Sequence, residues 1–193
     1  FIYYFFVFIF MRINPPYKHL TQKSSFCGPT SLQMILFRRG IWVEQEELAK
    51  KLGTRIRNKN QDKYLLDFEI NDSDAGLNLL EFNQFGSILE KYGLKAEVIL
   101  FPEIKDLKKL ITENLEKGND IMINLHRGIY DPQKNWGHFC LVNSIEDDVV
   151  EICDPSYEDK SYWKTSIKEL MKAMSKEVDG KERGIVIISH SDS

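Results

Sequence analysis

Apolar positions recur at helical spacing in the first half of the chain and alternate in the second. After Cys27-Gly28-Pro29, residues Leu32, Ile35 and Leu36 fall three or one apart until Gly40, which predicts a helix over 28–39 with Cys27 at its N-terminal edge. Pro29 suits a first helical turn, where its missing N–H costs nothing. Residues 44–52 predict a second, shorter helix closed by Gly53, and 77–92 a third ended by Gly93. The pattern then changes. Residues 95–101 and 120–126 read as strands, with a helix over 103–117 between them. Residues 137–145 and 148–153 predict two strands of a hairpin turning at Glu146-Asp147. A helix over 166–175 and a strand over 184–189 follow. Helices gathered early and antiparallel strands gathered late make an α+β arrangement rather than alternating βαβ units.

Three stretches break the pattern. Residues 12–26 carry Pro15 and Pro16 and read as an irregular lead-in. Residues 54–75 are polar and charged around a short YLLDFEI patch, a long surface excursion. Residues 1–10, FIYYFFVFIF, are apolar throughout, yet a bilayer needs about 20 such residues. They lack the basic start and small-residue cleavage site of a signal peptide. They read as an upstream extension outside the fold, with Met11 as the start and 11–193 as one domain. Membrane association is expected only if residues 1–10 are a genuine anchor.

Charge and cysteine content narrow the function. The 26 basic and 29 acidic side chains leave a formal net charge of -3, so no excess of cations is available to neutralise phosphates, and nucleic acid is not an expected partner. The three cysteines, Cys27, Cys140 and Cys153, form no CxxC pair and are too few for a disulfide framework. Reduced thiols in a cytoplasmic setting are expected. His126 and His138 with Asp131 match no zinc spacing, so no metal or other cofactor is expected.

Cys27 has the most reactive setting. The free N–H groups and dipole of a first helical turn favour negative charge and lower a thiol pKa. Taken alone, it reads equally as a nucleophile or as a small core residue. His138 opens one hairpin strand and Asp154 closes the other, 16 residues apart around the turn. Chain reversal makes them neighbours, and a carboxylate beside an imidazole fixes its tautomer and stabilises the imidazolium. Each also has a plainer reading: a hydrogen-bonded strand histidine, and a turn-starting Asp before proline. Gln22, five residues before Cys27, could donate to an oxyanion or be an ordinary loop residue. Cys140 and Cys153 fall inside strands and read as core.

TQKSSFCGPTSLQMIL followed far downstream by GHFCLVNSIEDDVVEICDPS resembles the papain-like bacteriocin-processing (double-glycine leader) cysteine peptidases and their stand-alone relatives. The resemblance covers nearly all of residues 12–190. It implies a papain-like fold, an N-terminal helical lobe packed on a C-terminal antiparallel sheet. It also implies Cys27 as nucleophile, His138 as base, Asp154 as the acid that orients it and Gln22 as oxyanion donor. The Gln-to-Cys spacing is five here, where the processing enzymes often show six. The implied reaction is hydrolysis of a peptide or amide bond through a thioester. An amidase or transpeptidase would use the same groups, and a non-catalytic peptide-binding module could keep them as relics. The double-glycine leader substrate of the transporter-linked members is not carried over from the resemblance.

Overall fold

The computed structural model describes residues 10–56, 75–79, 86–156, 161–177 and 180–191. Its elements in order are β1 (Phe10–Arg12), α1 (Cys27–Arg38), α2 (Gln45–Lys51), α3 (Gly86–Glu90), β2 (Leu94–Leu100), α4 (Leu107–Glu116), β3 (Asp120–His126), β4 (Gly137–Glu146), β5 (Val149–Cys153), β6 (Tyr162–Ser166), α5 (Ile167–Met174) and β7 (Gly184–His190). The strands form one sheet in the order β2-β7-β3-β4-β5-β6, with β1 beside the second half of β4. Every pairing is antiparallel. This is the α+β, papain-like arrangement that the sequence implied.

The sheet centre is apolar on both faces. All of β3 (DIMINLH) is buried, and so are eight of the ten residues of β4. Their side chains point alternately to opposite faces, so continuous burial requires cover on both. α1 covers one face. Met34 meets Cys153, and Gly28 lies against Phe139. α4 and α5 pack against β3.

α1 is a core helix rather than an amphipathic one, because residues 28–36 are all buried. Burying side chains such as Leu32, Ile35 and Leu36 stabilises by about 1.5–3 kcal/mol each. Two of the buried polar residues on the same helix find acceptors. Gln33 Nε2 donates to the Val43 carbonyl at 2.7 Å, and Ser31 Oγ reaches the Phe139 carbonyl at 3.5 Å. The C-terminal end is fixed by charge. Arg38 Nε hydrogen-bonds to Asp120 Oδ1, and Arg39 Nη2 donates to Oδ2 at 2.7 Å. Tyr17 completes the cluster, donating to Oδ1 at 2.9 Å.

The other helices begin and end as their sequences dictate. Asp106 accepts from the Lys109 N–H at 2.9 Å and starts α4; Gly118, at φ +72°, ends its last turn. Ser166 caps α5, whose buried residues Leu170, Ala173 and Met174 share one face.

Several boundaries differ from those read in the sequence. The third helix, expected over 77–92, is described only as α3. Residues 75–79 are not α-helical: Gly76 makes an isolated bridge with Arg55, and Leu77 packs over Gly28. Packing onto α1, not helical periodicity, accounts for that apolar spacing. Most of the 54–75 excursion, and residues 80–85, lie outside the described residues. Phe10, assigned to the extension, instead pairs with Glu146 in β1; the rest of that segment lies outside the described residues. β6 was not anticipated at all. The β4–β5 hairpin carries one irregularity, a register shift between Val142 and Ser144.

Candidate active site

Cys27 is the first residue of α1, and the N-cap Phe26 offers no side-chain hydrogen bond. The positive end of the helix is therefore left for whatever sits at the first turn. The approach is tightly turned, with Ser25 at φ +63° in the left-handed region. Gly28 lets the helix come close to its neighbours, since a Cβ there would lie 3.0 Å from Leu77 Cδ2 and 3.5 Å from the Phe139 ring. Half-buried, Cys27 is within hydrogen-bonding reach of His138. Burial pushes its thiol pKa up, but the hydrogen bond and charge of His138, with backbone hydrogen bonds from Phe139 and Gly28, outweigh it and hold the thiol below its usual value.

The other cysteines differ. Burial pushes Cys140 well up and takes Cys153 to about 12. Their sulfurs face the Ile123 carbonyl and Met34 Sδ.

His138 lies near the start of β4, opposite Leu125 of β3, and is almost wholly buried. Its Nε2 meets Asp154 Oδ1 at 2.6 Å. Desolvation disfavours the imidazolium, but the charge and hydrogen bond of Asp154, then those of Cys27, more than offset it and raise the pKa to about 9. Asp154 responds in the opposite sense. Burial raises its pKa, while His138, the Ser156 N–H and the Trp163 indole bring it down to about 2. An ionised carboxylate can only accept, so Nε2 carries the proton and Nδ1 is the nitrogen left for the thiol. The residue before His138 must be small. A Cβ on Gly137 would lie 2.2 Å from Arg183 Nη1, which donates to Asn124 Oδ1 at 3.0 Å.

The lead-in is stitched to the same corner. The Gln22 N–H donates to the Pro155 carbonyl at 2.8 Å, and His19 Nε2 lies 2.9 Å from the Asp154 carbonyl. The Gln22 side chain is buried, with Oε1 unpartnered. Its backbone thus stands beside Asp154-Pro155, while no hydrogen bond joins its amide to Cys27. Arg127 Nη2 donates to Ser156 Oγ at 2.6 Å and steadies the turn after Asp154. His126 is engaged elsewhere: Nε2 with Asn135 Oδ1 at 2.9 Å, and Nδ1 with the Gly128 N–H at 3.0 Å.

Two residues at this corner went unnoticed in the sequence. Trp163 Nε1 donates to Asp154 Oδ2 at 3.0 Å. The Tyr130 ring packs edge-on to His138, centroids 6.4 Å apart, and tilted on Trp163 at 5.0 Å. The β-forming run Tyr162-Trp163-Lys164-Thr165 was the available signal for β6.

Residues 14–178 match the model of the Peptidase_C39 like family, most of the chain. The chain belongs to this peptidase family. Solved structures agree on the fold. A C39-like peptidase from Bacillus anthracis superposes with a TM-score of 0.61 at 18% identity, over 94% of this chain and 98% of that one. The peptidase domain of Streptococcus ComA, a bi-functional ABC transporter involved in quorum sensing, gives 0.52 at 14% identity, over 90% and 98%. A double glycine motif protease from an AMS/PCAT transporter, in complex with a leader peptide, gives 0.51 at 16% identity, over 92% and 95%. Among curated proteins none is similar enough to match. At these identities the C39-like structures establish the shared fold. Among the described residues no helix is long and apolar enough to cross a membrane.

Proposed function

We propose that the protein is a cysteine peptidase that hydrolyses a peptide or amide bond through Cys27, His138 and Asp154. The observation that carries this reading is an imidazole held between a carboxylate and a helix-start thiol, with that thiol alone among the three cysteines shifted down. A thiolate at Cys27 attacks the amide carbon and opens its C=O bond to a tetrahedral oxyanion. The Cys27 N–H and the Gln22 side-chain amide are the proposed donors to that oxygen. Protonated His138 gives its Nδ1 proton to the departing amine, and the C–N bond breaks to leave a thioester on Cys27. Neutral His138 then takes a proton from water as the water attacks the thioester carbon. The acid product leaves and the thiolate–imidazolium pair is restored. Asp154 holds Nε2–H throughout, so Nδ1 keeps facing the sulfur. No step requires a cofactor or metal.

Family membership and the leader peptide in one structural relative support a peptide as substrate. The test is competitive alkylation of the whole chain with iodoacetamide at pH 6, followed by peptide-library digestion with and without an added amine. Cys27 should label much faster than Cys140 or Cys153, and cleavage should vanish in Cys27→Ala. Equal, slow labelling of all three thiols would overturn the proposal. Amine-capped products would point to transpeptidation on the same residues.

A further inference from the structure

β6 delivers a residue to which no motif points. The Asp154 carboxylate has two oxygens, and each is held. Oδ1 accepts from His138 Nε2 at 2.6 Å and from the Ser156 N–H at 2.9 Å. Oδ2 accepts from the Trp163 indole N–H at 3.0 Å. Trp163 is fixed in the sheet opposite Ile152, and Tyr130 packs against both the indole and the His138 ring.

We propose that Trp163 is a positioning residue: through Oδ2 it locks the Asp154 carboxylate in the orientation that keeps His138 facing Cys27. The proposal rests on the Cys27–His138–Asp154 reading above. A carboxylate turns freely about its Cβ–Cγ bond unless both oxygens are tied. The Ser156 N–H bonds the same oxygen as the imidazole, whereas the indole N–H holds Oδ2 and resists its rotation into that place. An indole N–H can donate but never accept, so it also favours the ionised carboxylate. Loss of the bond loosens the support for the imidazolium. A less stable imidazolium holds the thiolate less well, so Cys27 must then reach a higher pH before it ionises.

His19, whose Nε2 lies 2.9 Å from the Asp154 carbonyl, is the same in wild type and variant and drops out of their comparison; the remaining groups facing the pair do not set that limb. Tyr130 and Cys140 are pushed well up and Cys153 to about 12, so all three stay neutral on the acid side.

The test reads the second-order rate of Cys27 alkylation by iodoacetamide between pH 3.5 and 8, by mass spectrometry on the full chain. Trp163→Phe keeps an aromatic ring and removes the N–H. Its acid limb should move up by about half to one pH unit, making labelling about three- to tenfold slower below the limb and within about twofold at pH 8. Limbs that superimpose in a folded variant would overturn the proposal. If Trp163→Phe does not fold, the indole N–H of the unaltered protein decides, assigned by elimination with Trp42→Phe and Trp136→Phe. Support is a slowly exchanging Trp163 proton whose NMR shift follows the acid limb. One that exchanges as fast as that of exposed Trp42 and does not titrate overturns it. A wild-type Cys27 no more reactive than Cys140 or Cys153 defeats the underlying catalytic reading, and this proposal with it, before any variant is made.

Discussion

Asp120 and Asp154 are both buried carboxylates, and α1 runs from one to the other. At its C-terminal end, Asp120 is gripped by Arg38, Arg39 and Tyr17. At its N-terminal end, Asp154 is gripped by His138, Ser156 and Trp163, with Cys27 beyond the imidazole. The partners make the difference. Two guanidinium groups and a phenol hold both oxygens of Asp120, and the cluster serves as an anchor. An imidazole can take up or release a proton, and here it faces a thiol that competes for it. One end of the helix is an anchor; the other sets a thiol beside an imidazole.

The sharpest way to break this contrast is Cys27→Ala. We expect hydrolysis to fall at least about a thousandfold, with little change in urea stability. Asp120→Asn should do the reverse. Two buried guanidinium groups lose their counter-charge, costing about 3–5 kcal/mol in urea unfolding, while Cys27 in the folded fraction keeps its alkylation profile.

The pH dependence of stability sharpens the contrast further. His138 is raised from 6.5 to about 9, so its contribution is fully present below 6.5 and fades as pH rises through about 9. Asp154 is lowered from 3.8 to about 2, so its contribution is present above 3.8 and fades as pH falls through about 2. The stability gap between wild type and His138→Gln should thus be widest between 3.8 and 6.5. There it should reach about 2–3 kcal/mol in urea titrations, narrowing on either side. A gap independent of pH would remove the titrating pair from the account.

The smallest effect is expected from Gly28→Ala. The atom it would meet at 3.0 Å is the end of the Leu77 side chain, which can turn aside, so unfolding should shift by about 1 kcal/mol or less. A much larger loss would mean that the N-terminal end of α1 is as rigidly set as the Asp120 end.

What the sequence disclosed depended on how local each signal was. The start of α1 is written in Cys27-Gly28-Pro29, and the closeness of His138 and Asp154 follows from their places on the two strands that flank one turn. Helix α3 was over-extended because Leu77 and Leu79 owe their burial to α1 and Gly184, contacts that have no period along the chain. Trp163 stayed hidden for a related reason. β6 is an edge strand of five residues without a fully buried face, so it lacks the alternation that marks β4. The short span from Gln22 to Cys27 fixed neither the hydrogen bond to Pro155 nor the direction of its amide. Both depend on where the residues after β5 return.

The register shift in the β4–β5 hairpin sets which way Asp154 points. Before the shift Leu141 faces Cys153; after it Ser144 faces Glu151. Carried one step outward, the first register sets position 154 across from position 140, on the side that His138 shares. Were the extra residue, Asn143, paired in a regular ladder rather than left out of it, 154 would fall across from 141 instead, and its carboxylate would turn to the other side of the sheet. The meeting of acid and base is therefore a matter of parity, decided by a single uncounted residue several positions away from either.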